Sequence, residues 1–172
     1  MFRSGDGNTG LIAAATRSAR YARTMDAISS PDSMGIIAGR LLLATALGAA
    51  VGYNRELLQK PAGVRTHALV ALGSALVALM SVMLTHPSFG DDLAAPSRII
   101  QGLVAGVGFI GGGVILRLEA EQRVEGLTTA ASIWVVAAIG IAAGLGLWRT
   151  ASLTVVIALV VLVLGRPLVA RS

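Results

Sequence analysis

The stretch that most constrains the fold is residues 99–116, which is apolar apart from Gln101 and carries six glycines. In water each helical glycine would cost roughly 1 kcal/mol relative to alanine. In a bilayer the backbone must satisfy its own hydrogen bonds, so a helix is enforced. Glycine then offers neighbouring helices a flat surface for close packing. The stretch is therefore predicted to be a central transmembrane helix, whose packing glycines are Gly102, Gly106, Gly108, Gly111, Gly112 and Gly113.

The three consecutive glycines at residues 111–113 leave a second interpretation open. A helix that unwinds at this point frees backbone groups, and in membrane proteins such groups can line a substrate or ion site. The sequence alone does not choose between a continuous packing helix and a broken one. A second set of packing glycines, Gly48 and Gly52, has the four-residue spacing of close helix pairs.

Composition indicates an integral membrane protein. Of its 172 residues, 55% are hydrophobic and only 13% are charged, against about 25% charged in soluble domains. The apolar residues form blocks close to the ~20 residues that a bilayer core requires, which predicts an all-α polytopic membrane protein. The absence of cysteine excludes disulfides and thiolate sites. The net charge of +5 and the 4% aromatic content suit lipid headgroups rather than nucleic acid.

The apolar blocks predict five spans, at residues 34–53, 66–84, 99–116, 127–147 and 150–164. The last two are separated at Trp148 and Arg149, because a single helix over residues 127–164 would be about 57 Å long, nearly twice the ~30 Å bilayer core. Arg40, inside the first span, is expected to reach the headgroups. Residues 1–33 are predicted to be a basic, partly disordered tail before a membrane domain at 34–169. Short-loop charges place the 54–65 loop and the C-terminus in the cytoplasm.

Three polar clusters flank the predicted spans, at residues 55–67, 96–101 and 126–134. Glu56 is close enough in sequence to pair with Lys60 or Arg65 and so to link the first two spans. Gln101, one turn into the membrane, requires a protein partner. Each cluster also has a purely structural interpretation, as a cytoplasmic loop, a headgroup anchor or a capped helix start. The candidate functional residues are Arg55, Glu56, Lys60, Arg65, Thr66, His67, Arg98, Gln101, Thr128, Thr129 and Trp134.

In this order and spacing, the clusters resemble the MgtC/SapB family of bacterial inner-membrane proteins over about residues 39–146. The matching motifs are Gly52-x-x-Arg-Glu56, Lys60-Pro-Ala-Gly-x-Arg-Thr-His67, Leu72-Gly-Ser74, Arg98, Gly106-x-Gly-Phe-x-Gly-x-Gly-x-Ile115 and Gly126-Leu-Thr-Thr-Ala-Ala-x-x-Trp134. Composition bias would not generate the Lys-Pro-Ala-Gly and Gly-Leu-Thr-Thr-Ala strings together.

The resemblance implies a five-span domain linked to growth at low magnesium and to virulence, through survival inside host phagocytes. It also implies, for some members, restraint of the proton-translocating ATP synthase, whereas direct magnesium transport is doubted. This chain departs from the family pattern at Asn54 and Ala95, where acids are usual. Asp91 or Asp92 could replace the second acid. The soluble C-terminal domain of longer members is not expected here.

The predicted function is that of a regulatory inner-membrane protein that binds a membrane partner, with ATP synthase as one candidate and with no cofactor or bound metal. The alternative is a transporter of Mg²⁺ or another ion. No acid lies at membrane depth in the predicted spans, although backbone carbonyls of a broken third span could replace carboxylates. Catalysis is not expected, because His67 and His86 lie about 28 Å apart at opposite ends of one span. The oligomeric state stays open.

Overall fold

A computed structural model describes residues 33–84, 94–118 and 123–164, together with residues 15, 16 and 19. The predicted tail lies almost wholly outside these residues, as do His86, Asp91 and Asp92. The described elements are five helices and one hairpin: α1 (Ser33–Leu57), α2 (Val64–Met83), α3 (Ala95–Gly113), β1 (Leu116–Leu118), β2 (Arg123–Glu125), α4 (Leu127–Gly144) and α5 (Trp148–Leu164).

The helices confirm an all-α membrane protein. Helices α1, α2 and α4 are each long and apolar enough to cross a bilayer, with a mean hydropathy of 1.8. Helix α5 is equally apolar in character but shorter, at 17 residues. Two compact units are present, residues 1–38 and 39–172, and the second contains every contact described below.

Helix α4 is the centre of the second unit, because it contacts α2, α3 and α5. Its glycines allow this. A Cβ atom on Gly140 would overlap the backbone oxygen of Ala71, and one on Gly144 would overlap that of Ala75. The backbones of α2 and α4 are therefore in direct contact, and the core forms around Ala71, Ala75 and the α4 residue Ile139. Such close approach is the main source of helix association in lipid.

Helix α1 packs on α2 through its own pair of glycines. A Cβ on Gly48 would lie 2.6 Å from the side chain of Ala71 and from the backbone oxygen of His67. A Cβ on Gly52 would lie 2.7 Å from the backbone of Gly63 and Val64. Both glycines are buried, so these positions require the absence of a side chain.

The prediction that α3 is the central helix is wrong for the described part of this chain. A Cβ on Gly102, Gly106, Gly108, Gly112 or Gly113 would meet no atom within 4 Å. At 100° per residue these five positions occupy the exposed arc of α3. The buried arc carries Val107 and Gly111, and the latter lies 3.6 Å from the side chain of Ala130. Glycine spacing identified a smooth surface, but not the side of the helix on which α4 packs.

The helix ends also differ from the prediction. Helix α1 continues through residues 54–57, which were expected to be loop, and α3 begins at Ala95 rather than near residue 99. Helix α3 remains helical through residues 111–113 and closes with a tight turn in which the Val114 N–H donates to the Gly111 carbonyl. The broken-helix interpretation is therefore not found.

The charged segment after α3 is an antiparallel hairpin rather than a simple turn. Strands β1 and β2 pair in the register Leu116 with Glu125, Arg117 with Val124, and Leu118 with Arg123. The hairpin leads into α4 through Gly126, which has a φ of 88°. A Cβ there would overlap the Val114 carbonyl oxygen, so glycine is required on both counts.

The predicted division of the long apolar block is confirmed, with the turn at residues 145–147. Gly146 has a φ of 80°, and Trp148 begins α5 with the Arg149 guanidinium 5.0 Å from its ring centroid. Arg40 is not simply a headgroup anchor, because its Nη1 donates to the Gly144 carbonyl at 3.1 Å. A cation at a helix C-terminus offsets the negative end of the helix dipole.

Candidate functional site

Four polar side chains meet inside the bundle, where α1 ends and α2 and α4 begin. This group, called here the Arg55 cluster, consists of Arg55, His67, Thr129 and Ser132, which are exposed by 3%, 0%, 1% and 6%. Helix α1 contributes its last turn, α2 its first, and α4 its first two. The cluster forms because Thr129 and Ser132, three residues apart, share the face of α4 that looks toward α1 and α2.

Arg55 enters the bundle because α1 stays helical beyond the predicted end of its span. One terminal nitrogen, Nη2, donates to the Thr129 hydroxyl at 2.6 Å. Among the residues that the structure describes, the buried Nε atom has no hydrogen-bond partner, and neither has the Oδ1 atom of Asn54, the preceding residue. Within the described residues, no carboxylate is bound to this guanidinium. A buried cation without a counter-charge is costly, so this arrangement calls for an explanation.

His67 joins α2 to α4 through both ring nitrogens. Nδ1 lies 2.9 Å from the Gly63 carbonyl, and Nε2 lies 3.0 Å from the Ser132 hydroxyl, which in turn lies 2.8 Å from the Thr129 carbonyl. Because a carbonyl only accepts, Nδ1 carries a proton. The single Ser132 proton goes to Nε2 of a neutral ring, or to the Thr129 carbonyl when Nε2 is protonated. The hydroxyl orientation therefore follows the protonation of His67.

Glu56 links α1 to α2, but not through the expected pairing with Lys60 or Arg65. Its Oε2 accepts a hydrogen bond from the Val64 backbone N–H at 2.9 Å, which caps the start of α2. A Cβ on Gly63 would lie 2.6 Å from that same oxygen. The Glu56 carboxylate therefore lies directly against Gly63, the last residue of the Lys-Pro-Ala-Gly string.

The other predicted residues at this end lie around the cluster rather than in it. Lys60, Arg65 and Thr128 are exposed, and Thr66 is half-buried. Trp134 is 51% exposed and belongs to the outer surface of α4. These side chains surround the loop end of the bundle, which carries more basic than acidic groups among the described residues.

Arg98 and Gln101 are not brought to the Arg55 cluster. They lie in the first two turns of α3, whereas it is Gly111, near the other end of α3, that contacts Ala130 at the start of α4. The amide of Gln101 donates to the Ser97 hydroxyl at 3.4 Å and is otherwise exposed. These two residues therefore belong to a separate surface, a helix length away from the cluster.

Sequence reasoning missed three residues that join α4 to α2. Ser132, Gly140 and Gly144 are not among the candidate residues that the motifs gave. The signals were present, since Gly140-x-x-x-Gly144 has the spacing of the other glycine pairs.

A mostly apolar cavity of about 300 Å³ also adjoins the cluster at Ser132, between α1, α4 and α5.

Curated proteins that resemble the chain share much of this sequence. Protein SrpB of Synechococcus elongatus is 47% identical over 116 residues, which is 64% of this chain and 64% of that protein. "Putative magnesium transporter YhiD" of Escherichia coli K12 is 45% identical over 116 residues, 64% of this chain and 51% of that protein. Protein MgtC of Salmonella typhimurium LT2 is 44% identical over 119 residues, 69% of this chain and 48% of that protein.

The chain thus spans about half to two thirds of the length of these relatives. No solved structure matches it. The family model described as "MgtC family" matches residues 41–171, a range that contains the whole Arg55 cluster and helices α2 to α5. That match covers most of the sequence and agrees with the motifs around Arg55, His67 and Thr129, so the chain belongs to the MgtC family.

Proposed function

We propose that this protein is a regulatory protein of the bacterial inner membrane, which serves adaptation to low magnesium by binding another membrane protein. The observation that carries the proposal is the outer surface of α3. Gly102, Gly106 and Gly113 lie on one side of that helix with Phe109, which is 88% exposed. This surface, called here the glycine face, has no neighbour among the described residues.

The glycine face is suited to a helix from a partner. Small residues at four-residue spacing let two helix backbones approach closely in lipid, where van der Waals packing drives association. An exposed aromatic ring beside them adds contact area to such an interface. The magnesium link comes from the family and from the name of the Escherichia coli relative. The proton-translocating ATP synthase, implied by the family resemblance, is one candidate partner.

A transporter of Mg²⁺ is the alternative that the relative's name suggests, but the donor groups do not favour it. Mg²⁺ prefers octahedral oxygen ligands, usually including carboxylates. Glu56 is the only acid in the five described helices, and it already caps α2. No group of three or more His, Cys, Asp or Glu side chains comes together in the described residues. The buried charge of Arg55 further repels a divalent cation at this end.

We expect purified protein in liposomes not to move Mg²⁺ down a concentration gradient. A magnesium-sensitive dye inside the liposomes reports the flux, with protein-free liposomes as the blank and a known magnesium channel as the positive control. A saturable, protein-dependent dye response would overturn the regulatory proposal in favour of transport.

Gly106→Leu is expected to abolish partner binding while the protein itself still folds, because a Cβ at this position meets no atom of the described residues within 4 Å. The sequence-based interpretation of Gly106 as a packing glycine of a central helix implies the opposite, a loss of folded protein. Gly73→Leu is the matched control, since Gly73 on α2 also faces open space. The amount of partner protein that co-purifies with each variant in mild detergent measures binding. The cellular ATP level measures the effect of that binding.

Equal partner recovery with Gly106→Leu and with wild type would show that the glycine face is not the interface. Loss of folded Gly106→Leu, with Gly73→Leu intact, would mean instead that this face packs within the protein.

A further inference from the structure

We propose that Arg55 and the first turn of α4 form a binding site for a phosphate-type oxyanion. The site is separate from the glycine face and does not depend on the identity of any protein partner. Three features of the described residues support it: the charge at two helix starts, the guanidinium Nε without a hydrogen-bond partner, and the basic side chains exposed at the loop end of the bundle.

The two helices that begin at this end, α2 and α4, differ in the charge that lies next to their N-termini. The start of α2 has an anion, because the Glu56 carboxylate accepts from the Val64 N–H. The start of α4 has no side-chain cap, since Gly126 stands at its N-cap position. A helix N-terminus carries about half a positive charge. In place of an anion, α4 has the Arg55 guanidinium, hydrogen-bonded to Thr129 in its first turn.

A guanidinium beside a positive helix start is an unfavourable pair of like charges. Arg55 is 97% buried, by its exposure of 3%, so water screens this repulsion poorly. Among the described residues, its Nε has no hydrogen-bond partner. A bound oxyanion would neutralise the charge and accept a hydrogen bond from Nε.

The chemistry of the groups favours phosphate over simpler anions. A guanidinium offers parallel N–H donors that match the spacing of phosphate oxygens. Backbone N–H groups at a helix start point toward such an anion and are commonly used to bind it. Lys60 and Arg65 are exposed at the same end and raise the local concentration of anions.

The phosphate could belong to a lipid headgroup or to free inorganic phosphate, and one experiment distinguishes them. The full chain is purified in a phosphate-free, non-ionic maltoside detergent. Thermal unfolding is followed while inorganic phosphate or short-chain phosphatidylglycerol is added, with potassium chloride at matched ionic strength as the blank. We expect the Tm of wild type to rise by about 5 °C or more at a hundred times Kd. The effective additive identifies the source.

Arg55→Met is the decisive variant, because it keeps the length of the side chain and removes its charge. The variant is expected to fold, since it relieves a buried unpaired cation, and to lose the anion-dependent rise in Tm. Arg149→Gln, which alters an exposed arginine at the start of α5, should keep that rise. Phosphate also stabilises proteins non-specifically, so the difference between the two variants is the measured quantity.

An equal rise in Tm for wild type and Arg55→Met would overturn the proposal, as would no rise with either additive. If Arg55→Met fails to fold, Arg55→Lys decides the question, because lysine keeps the charge and loses the planar pair of donors. A half-saturating concentration at least tenfold higher than that of wild type supports the site, and an unchanged value contradicts it. None of these measurements requires magnesium or a protein partner, so they stand apart from the regulatory proposal.

Discussion

Alanine at Gly140 or Gly144 is expected to destabilise the folded protein by about 3 kcal/mol or more, the upper end for overpacked cores. The added Cβ would overlap a backbone oxygen of α2, that of Ala71 or Ala75. Backbone atoms cannot rotate away as a flexible side chain can, so the two helices must move apart. That movement would disturb the packing of Ile139 and Ala143, which lie in the same core.

Gly73→Ala and Gly108→Ala are the matched controls, because a Cβ at either position meets no described atom within 4 Å. These variants introduce the same methyl group into a helix and should leave stability unchanged or raise it slightly, since alanine is the better helix former. Thermal or denaturant unfolding in detergent measures all four. Similar stabilities for the core and control variants would refute the direct backbone contact between α2 and α4.

Thr129→Val is expected to cost about 2 kcal/mol, which is typical of a lost hydrogen bond to a buried charged group. Valine has nearly the shape of threonine, so packing is preserved while the Arg55 guanidinium loses its hydroxyl acceptor. Thr45→Val is the matched control. Within the described residues, the Thr45 hydroxyl bonds only to the Leu41 carbonyl of its own helix, and its loss should be nearly neutral.

The double variant Arg55→Met with Thr129→Val should recover most of the stability lost in Thr129→Val alone. Both partners are then apolar and no buried donor is left unsatisfied. Unfolding in phosphate-free detergent measures the coupling. Additive losses in the double variant would mean that the two residues act independently.

The accuracy of the sequence-based predictions depended on the kind of sequence signal that was used. Apolar blocks with breakers between them predicted the five helices, because bilayer thickness sets the length of a span. They failed at residues 54–57, because polarity was taken as the end of the helix. Arg55 and Glu56 are polar but stay helical, since their side chains bond to the Thr129 hydroxyl and the Val64 N–H of other helices.

The candidate site shows the same limit. The motifs correctly drew attention to Arg55, His67 and Thr129, which the structure brings together, and equally to Arg98 and Gln101, which it does not. Linear spacing cannot show which faces of two helices meet. For the same reason the six glycines of α3 led to the prediction that α3 is the central helix. In the described chain it is instead the two glycines of α4 that bring this helix into direct backbone contact with α2.

Two arginines attach α1 to α4 at opposite ends. Arg40 binds the Gly144 carbonyl and Arg55 binds the Thr129 hydroxyl, so the two attachment points are fifteen residues apart on both antiparallel helices. They are separated by about 22 Å. Because the spacing matches, any sliding of α1 along α4 would break both bonds at once, which fixes the axial register of the pair. A change of state in this protein must then come from rotation, or from α3, to which neither arginine binds, rather than from a piston-like shift of its first helix.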